Sequence, residues 1–195
     1  MYLFVFYCIY LFVLFIVPSY LTYKKTGINP YKFSKGQKAI NYVGKVYRII
    51  SFFAFLIVAI NAFMPDMMTY IYPIEFLQLK EMKWVGYALI HISCIWIFIA
   101  QRNMSDEWRI GIDIENKVQL ITKGLFSISR NPIFLGVIIL FVGLFLIIPN
   151  IVTVIILITG IIVIQIQIRL EEEFLFRELG EEYILYMNQV KRWLF

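Results

Sequence analysis

The sequence predicts an all-α integral membrane protein with about five transmembrane helices and a cytoplasmic C-terminal helical segment. Two observations predict this class. Of the 195 residues, 61% are hydrophobic and only 16% are charged, whereas a soluble domain carries about a quarter charged residues. The apolar residues are also gathered into five stretches that approach the length needed to cross a bilayer. Helices are the expected spanning structure for such stretches, and the whole chain, 1–195, is predicted to be one transmembrane domain.

The predicted spans are 2–17, 49–63, 84–100, 132–148 and 151–168. Each has 15–18 residues, fewer than the roughly 20 that a perpendicular helix needs, so we expect tilting or extension at the helix ends. The Pro149-Asn150 dipeptide between the last two spans is a turn signal and predicts a helical hairpin. Residues 1–101 therefore hold three spans, and residues 102–195 hold a polar loop, the hairpin and the C-terminal segment.

The distribution of Lys and Arg predicts the orientation in the membrane. Segments 18–48, 101–131 and 169–195 hold 7, 5 and 4 basic residues, which is 16 of the 18 in the chain. The remaining two, Lys80 and Lys83, lie between the second and third spans. Because basic residues accumulate in cytoplasmic loops, this imbalance predicts an outside N-terminus and a cytoplasmic C-terminus.

The distribution of basic residues also indicates which binding partners to expect. The net charge of +5 is explained by topology and by attraction to anionic membrane lipids, so no nucleic-acid partner is predicted. The two cysteines, Cys8 and Cys94, lie in apolar stretches and form no metal-binding or disulfide pattern. The single histidine, His91, lies within the third span, where a hydrogen bond to a neighbouring helix is expected. No metal site is predicted.

The stretch before the fourth span is the first candidate for chemistry. Arg130-Asn131-Pro132 combines a good N-cap residue with a proline suited to the first helical turn. One interpretation is a membrane-entry cap with an arginine that reaches to the interface. The other is an anion site, because a helix N-terminus offers free N–H groups and Arg130 adds a positive charge. Gly124 and Gly136 permit a close approach of backbone or a flat ring.

Glu171-Glu172-Glu173, just after the fifth span, is the second candidate. Three adjacent acids repel one another and fan over about 200° of a helix, so at most two can face one pocket. One interpretation is a solvated face with an Arg169–Glu173 pair at i,i+4 spacing. The other is that Glu171 or Glu172 points toward Arg130 and holds a ligand group. A tight hairpin returns the chain to the side it left, so these two polar ends should meet.

These residues resemble a known superfamily. The similarity is to the integral membrane methyltransferases that include isoprenylcysteine carboxyl methyltransferase and phospholipid N-methyltransferase. It covers roughly the last 90 residues and rests on Trp108, Gly124-Leu-Phe, Arg130-Asn131-Pro132-Ile133-Phe134, the Pro149 hairpin, Glu171-Glu172, Leu179-Gly180-Glu-Glu-Tyr183-Ile-Leu-Tyr186 and Arg192.

The resemblance implies S-adenosylmethionine as cofactor and a lipophilic acceptor that enters from the bilayer, such as an isoprenylcysteine carboxylate or a lipid amine. By position it assigns cofactor binding to Gly124, Arg130, Asn131, Pro132, Phe134, Glu171 and Glu172. It makes Glu171 and Arg169 the candidate catalytic residues. On this basis Arg130→Ala and Glu171→Ala should each abolish cofactor binding and leave detergent stability nearly unchanged.

Three departures from the superfamily pattern leave the acceptor open. Asn131 stands where a histidine is usual, and Phe134 where a tyrosine is usual. An arginine expected four residues before the first site glutamate is Gln167 here, and the nearest arginine is Arg169. Two alternatives therefore stand beside the methyltransferase. One is an NADPH-dependent membrane enzyme resembling sterol reductases, and the other is a non-catalytic membrane module on the same scaffold.

Overall fold

The computed structural model describes residues 1–27, 29, 31–32, 38–104, 110–111 and 119–194. Its helices are α1 (Tyr2–Leu11), α2 (Val17–Thr26), α3 (Lys38–Phe63), α4 (Lys80–Met104), α5 (Pro132–Ile147), α6 (Ile151–Leu179) and α7 (Glu181–Gln189). A π-helical turn at Phe12–Ile16 joins α1 and α2 into one continuous helix. Two residue pairs, Tyr31–Lys32 and Ile110–Gly111, form a short parallel β-ladder between the first and third loops.

The all-α membrane class is confirmed. Within the described part of the chain, four helices are long and apolar enough to cross a membrane: Tyr2–Thr26, Ala39–Phe63, Lys80–Met104 and Ile151–Leu179. The fourth predicted span, 132–148, is a shorter apolar helix of 16 residues, Pro132–Ile147. The expected end extension is also observed, because the long helices continue past the apolar stretches into polar sequence. α6, for example, ends at Leu179 instead of near 168.

The helices place the predicted loop segments at two opposite ends of the bundle. At one end, Phe4 packs against Phe63, and the hydroxyl of Tyr2 hydrogen-bonds to Nε2 of His91 at 2.7 Å. This contact confirms the expected bond between His91 and a neighbouring helix. At the other end, Asn103 lies against the 124–127 turn. The described parts of segments 18–48 and 101–131 meet, because Tyr31–Lys32 pairs with Ile110–Gly111.

The hairpin between α5 and α6 forms as predicted. Asn150 is buried and caps α6, because its Oδ1 accepts from the backbone N–H of Thr153 at 3.0 Å, and the Thr153 hydroxyl accepts from the Asn150 N–H in return. The backbone of Ile74 donates to the carbonyl of Pro149 at 2.9 Å. The loop after α3 therefore packs against the turn between α5 and α6. Through this turn, α6 returns to the end of the bundle where α5 began.

Small residues allow α4 and α5 to pack closely. A Cβ added to Gly143 would lie 2.8 Å from Ile90 Cγ2 and 2.9 Å from the carbonyl oxygen of Gly86. The hydroxyl of Ser93 donates to the Gly136 carbonyl at 2.7 Å. Close approach through small residues and interhelical hydrogen bonds is the usual basis of helix association in lipid, where the hydrophobic effect contributes little.

We expect Gly143→Ala to destabilise the bundle, because the new methyl group meets backbone and forces α4 and α5 apart. Overpacking of this kind costs about 1–3 kcal/mol. Thermal unfolding in detergent, followed by fluorescence-detected size exclusion, measures the shift. Ile158→Ala, at an exposed position on the outer face of α6, is the control and should change the unfolding temperature little. An equal shift for both variants would contradict the packing argument.

Candidate active site

A buried carboxylate between two guanidinium groups lies where the hairpin closes. Glu172 Oε1 accepts from Nε and Nη2 of Arg130 at 3.1 and 3.0 Å. Glu172 Oε2 accepts from Nη2 of Arg192 at 2.6 Å. The side chains of Glu172 and Arg130 are only 10% and 11% exposed, so the cluster is largely removed from water. The expectation that a glutamate after the fifth predicted span points toward Arg130 is confirmed for Glu172, which lies within α6.

The remaining donors of Arg130 hold the C-terminal segment in place. Its Nη1 donates to the carbonyls of Met187 and Val190 at 3.2 and 2.8 Å, and its backbone N–H donates to the carbonyl of Lys191 at 2.9 Å. Every guanidinium nitrogen of Arg130 is therefore already engaged. Arg130 fastens the end of α7 to the entrance of α5, and it is not a free anchor for a ligand carboxylate.

Tyrosines of α7 complete this attachment. The hydroxyl of Tyr186 donates to the carbonyl of Phe126 at 2.7 Å, and burial raises the pKa of Tyr186 to about 12. Burial also raises the pKa of Tyr183. On the other side of the cluster, the Glu172 carboxylate raises the pKa of Arg192. These groups keep their ordinary charges near neutral pH, so the attachment does not depend on a titrating group.

Asn131 precedes α5 as predicted, but its side chain does not cap the helix. Its Nδ2 donates to Glu172 Oε1 at 3.4 Å and to the Arg192 carbonyl at 3.3 Å, and no side chain of the described residues caps α5. Proline at the first position has no N–H. The first-turn N–H groups of Ile133 and Phe134 consequently have no cap, and both residues line the adjacent cavity.

That cavity has a volume of about 500 Å³ and lies between α1, α3, α5 and α6. A volume of this size is typical of small-molecule and cofactor sites. Its polar end holds Arg130, Asn131, Gln167 and Glu171, and its remaining lining is mostly apolar and aromatic. The two polar ends of the hairpin, which the sequence predicts to meet, therefore both contribute residues to this cavity.

Glu171 faces this cavity, whereas Glu172 faces the C-terminal segment. Adjacent helical residues differ by about 100° in direction, which is why the two acids take different roles. Glu171 is half-buried and lines the cavity with Gln167, whose Nε2 donates to Glu171 Oε1 at 2.8 Å. Glu171 has no guanidinium partner among the hydrogen bonds of the described residues, so its carboxylate is available to a cationic ligand group.

Arg169 and Glu173, two other residues considered in the sequence, lie outside the cavity. Arg169 is exposed and is not part of the cavity lining, so its position gives the catalytic assignment no support. Glu173 pairs with Arg177 and not with Arg169. The glutamate then precedes its basic partner by one turn, which is the more favourable order on a helix.

The glycines serve packing. Gly124 has a φ of +62° and sits against the side chain of Asn103, whose Oδ1 accepts from the N–H of Leu125. Gly136 lies against Ile97 on α4. Neither glycine lines the cavity, and the predicted approach of a flat ring to them has no counterpart in these contacts. Trp108 lies outside the described residues.

The wall contributed by α1 and α3 was not anticipated. It contains Tyr7, Tyr10 and Leu11 from α1, and Ile40, Val43, Gly44, Tyr47, Arg48 and Ser51 from α3. The α3 residues recur at helical spacing, which was a visible signal for a common face. What that face contacts depends on how α3 packs on α6, and the sequence pattern does not contain that information.

One family model matches this chain, and the matched residues include the α5–α6 hairpin. The family model of the phospholipid methyltransferases matches residues 82–182, which is more than half of the 195 residues. The chain belongs to the phospholipid methyltransferase family. No curated protein and no solved structure gives a significant match.

Membership of the phospholipid methyltransferase family agrees with the superfamily resemblance found in the sequence. The matched residues contain α4 from residue 82 onward, the 124–127 turn and the whole α5–α6 hairpin, including the three acids of α6. They include the polar end of the cavity but neither α1 nor α3. As a member of this family with several membrane-crossing helices, the chain is a membrane protein of methyltransferase type.

Proposed function

We propose that this protein transfers a methyl group from S-adenosylmethionine to a lipophilic acceptor within the membrane. The observation that carries the proposal is the cavity beside the α5–α6 hairpin of a phospholipid methyltransferase family member. It combines a half-buried carboxylate with uncapped helix N–H groups at one end and an apolar, aromatic interior at the other.

The polar end fits the amino-acid portion of the cofactor. The uncapped N–H groups of Ile133 and Phe134 suit its carboxylate, because a helix N-terminus favours anions. Glu171, on the opposite wall, suits its ammonium group. Arg130, Asn131 and Glu172 act on this site by fixing the entrance of α5 and the C-terminal segment, and only the first two line the cavity.

The apolar interior fits the acceptor. Phe134, Val137, Leu140 and Phe141 from α5 line the cavity together with Tyr7 and Tyr10 from α1. The helix that contains α1 is long and apolar enough to cross a membrane, and α5 is a shorter apolar helix. An acceptor with a hydrocarbon tail would enter from the bilayer and place its polar end beside the cofactor.

The cofactor supplies an electrophilic methyl group on a sulfonium, which moves to a nucleophilic nitrogen, oxygen or sulfur. The protein's part is alignment of the two reacting atoms and exclusion of water. Metal ions and a nucleophilic side chain are not required by this chemistry. The excess of basic residues at the end that holds Glu171 supports a cytoplasmic site, with the N-terminus outside.

Binding and transfer measurements test the proposal. Purified protein in lipid nanodiscs should gain thermal stability with S-adenosylhomocysteine, because a ligand that binds only the folded state stabilises it. It should also transfer a labelled methyl group from S-adenosylmethionine into a membrane lipid extract. Affinity for NADPH with none for S-adenosylhomocysteine would replace the proposal with a reductase. Binding of none of these ligands would favour a non-catalytic module.

A further inference from the structure

We propose that a second pocket, at the end of the bundle opposite Arg130, binds the phosphate of an anionic membrane phospholipid through Lys80 and Lys83. This pocket has a volume of about 380 Å³ and shares no lining residue with the cavity beside the hairpin. α5 separates Arg130 from Pro149 in this pocket, and its 16 residues span about 24 Å at the rise of an α-helix. The site is therefore distinct from that of the proposed function and does not depend on it.

Backbone contacts hold the floor of this pocket in place. The N–H of Ile74 donates to the carbonyl of Pro149 at 2.9 Å. Next to this bond, Pro73 and Asn150 pair in a β-bridge, and both residues line the pocket. Asn150 is buried and caps α6. The loop before α4 and the hairpin turn thus form one bonded unit, and a ligand does not have to order the floor of the pocket.

The side chains that give the pocket its polar character are cationic or neutral. Lys80 and Lys83 lie three residues apart at the start of α4, and the amides of Asn61 and Gln78 are also part of the lining. No acid of the described residues lines the pocket, and neither lysine takes part in an ion pair within that part of the chain. Two like charges at this spacing repel each other, so an anion between them is favoured, and lysine is a common phosphate ligand.

The surroundings of the pocket indicate a lipid as the source of the phosphate. α3 ends at Phe63 and α4 begins at Lys80, and both helices are long and apolar enough to cross a membrane. The loop between them exposes Tyr70, Tyr72 and Phe76, and tyrosine is enriched at the membrane interface. A phospholipid phosphate lies at this depth, so the headgroup can occupy the pocket while the acyl chains stay in the bilayer.

The lining also favours an anionic headgroup over a zwitterionic one. A zwitterionic headgroup such as phosphocholine would bring an ammonium group close to two lysines. Because no acid of the described residues lines the pocket, that ammonium group would meet repulsion without a compensating partner. Phosphatidylglycerol carries the same phosphate without the ammonium group, and it is the probe chosen for the test.

Lipid retention measured by native mass spectrometry tests the assignment. Detergent-purified protein would be mixed with phosphatidylglycerol and phosphatidylcholine of equal chain length, and the wild type should prefer phosphatidylglycerol. The pocket variant, Lys80→Gln with Lys83→Gln, should bind phosphatidylglycerol about 30-fold more weakly, the combined effect expected of two lysines at an anionic lipid surface. Its binding of phosphatidylcholine should stay at the wild-type level. Both lysines are exposed, so the pocket variant should keep the wild-type unfolding temperature in the absence of lipid.

Two controls separate the pocket from general attraction between charges. Lys45→Gln with Lys123→Gln removes the same charge from exposed positions outside the pocket and should leave phosphatidylglycerol binding unchanged. Adding Glu81→Lys to the pocket variant restores the net charge at the same end of the bundle. Glu81 does not line the pocket, so binding should not recover. Recovery with Glu81→Lys, an equal loss in the Lys45 and Lys123 control, or no loss in the pocket variant would each overturn the assignment.

Competition with inorganic phosphate distinguishes a lipid phosphate from a free one. Millimolar inorganic phosphate should neither displace phosphatidylglycerol nor raise the unfolding temperature of the lipid-free protein. Displacement would identify free phosphate as the ligand and would overturn the lipid assignment. Affinity for S-adenosylhomocysteine should be equal in the wild type and the pocket variant. A wild type that binds no S-adenosylhomocysteine would contradict the proposed function and leave this lipid test unaffected.

Discussion

Glu171→Gln is expected to abolish methyl transfer and to weaken S-adenosylhomocysteine binding about 10- to 100-fold, while the protein stays folded. The substitution removes the carboxylate that would pair with the ammonium group of the ligand, and a hydrogen bond to a charged group is worth about 1.5–3 kcal/mol. The substituted amide still accepts from Gln167, whose side chain donates to this position. Isothermal titration in detergent and a labelled-methyl assay measure the two effects.

The neighbouring acid provides a matched control for this substitution. Glu173 is exposed and pairs with Arg177 one turn further along α6, so Glu173→Gln makes the same chemical change two residues away. It should leave binding and transfer at wild-type levels. Equal losses in both variants would show that negative charge near the end of α6 matters in general, and the specific role of Glu171 would be withdrawn.

Arg130→Ala is expected to destabilise the protein by about 3–5 kcal/mol, the usual cost of breaking a buried ion pair from one side. The substitution leaves Glu172 only partly compensated and releases the carbonyls of Met187 and Val190. The sequence alone predicted nearly unchanged detergent stability for this variant. That prediction treated Arg130 as a ligand anchor, whereas the structure commits its guanidinium to the C-terminal segment. Thermal unfolding in detergent measures the effect.

Arg177→Ala is the control for Arg130→Ala, because it breaks an ion pair at the surface. The side chains of Arg177 and Glu173 are 68% and 56% exposed, and such pairs contribute at most about 1 kcal/mol. Limited proteolysis supplies a second measurement, since release of α7 should expose the chain after 180 in the Arg130 variant alone. If Arg130→Ala unfolds at the wild-type temperature but loses ligand binding, the original prediction from the sequence stands.

Much of the fold could be predicted from the amino-acid sequence. Apolar stretches, the Pro149-Asn150 turn and the excess of basic residues predict an all-α membrane protein with a hairpin near its C-terminus, and the helices confirm it. The helix limits were less accurate, because polar residues at the membrane boundary interrupt an apolar pattern without ending a helix. α3, for example, begins at Lys38, well before the apolar stretch at 49.

The candidate site was only partly predictable, and the three acids show why. The sequence indicates that Glu171, Glu172 and Glu173 cannot share one direction. It does not indicate which of them meets Arg130, because that depends on the rotation of α6 against α5 and on the path of the C-terminal segment. In the structure, Glu172 joins the arginines, Glu171 faces the cavity and Glu173 lies outside.

The sequence by itself determined the membrane class, the hairpin and the meeting of its two polar ends, because hydropathy, turn residues and charge are local properties of the chain. Only the tertiary structure decided that Arg130 holds the C-terminal segment in place and that α1 and α3 supply one wall of the cavity. Those facts depend on which helix faces meet. In an apolar bundle many helix faces are alike in composition, so the sequence pattern does not show which faces pack together. Contacts between residues distant in the chain determine that packing.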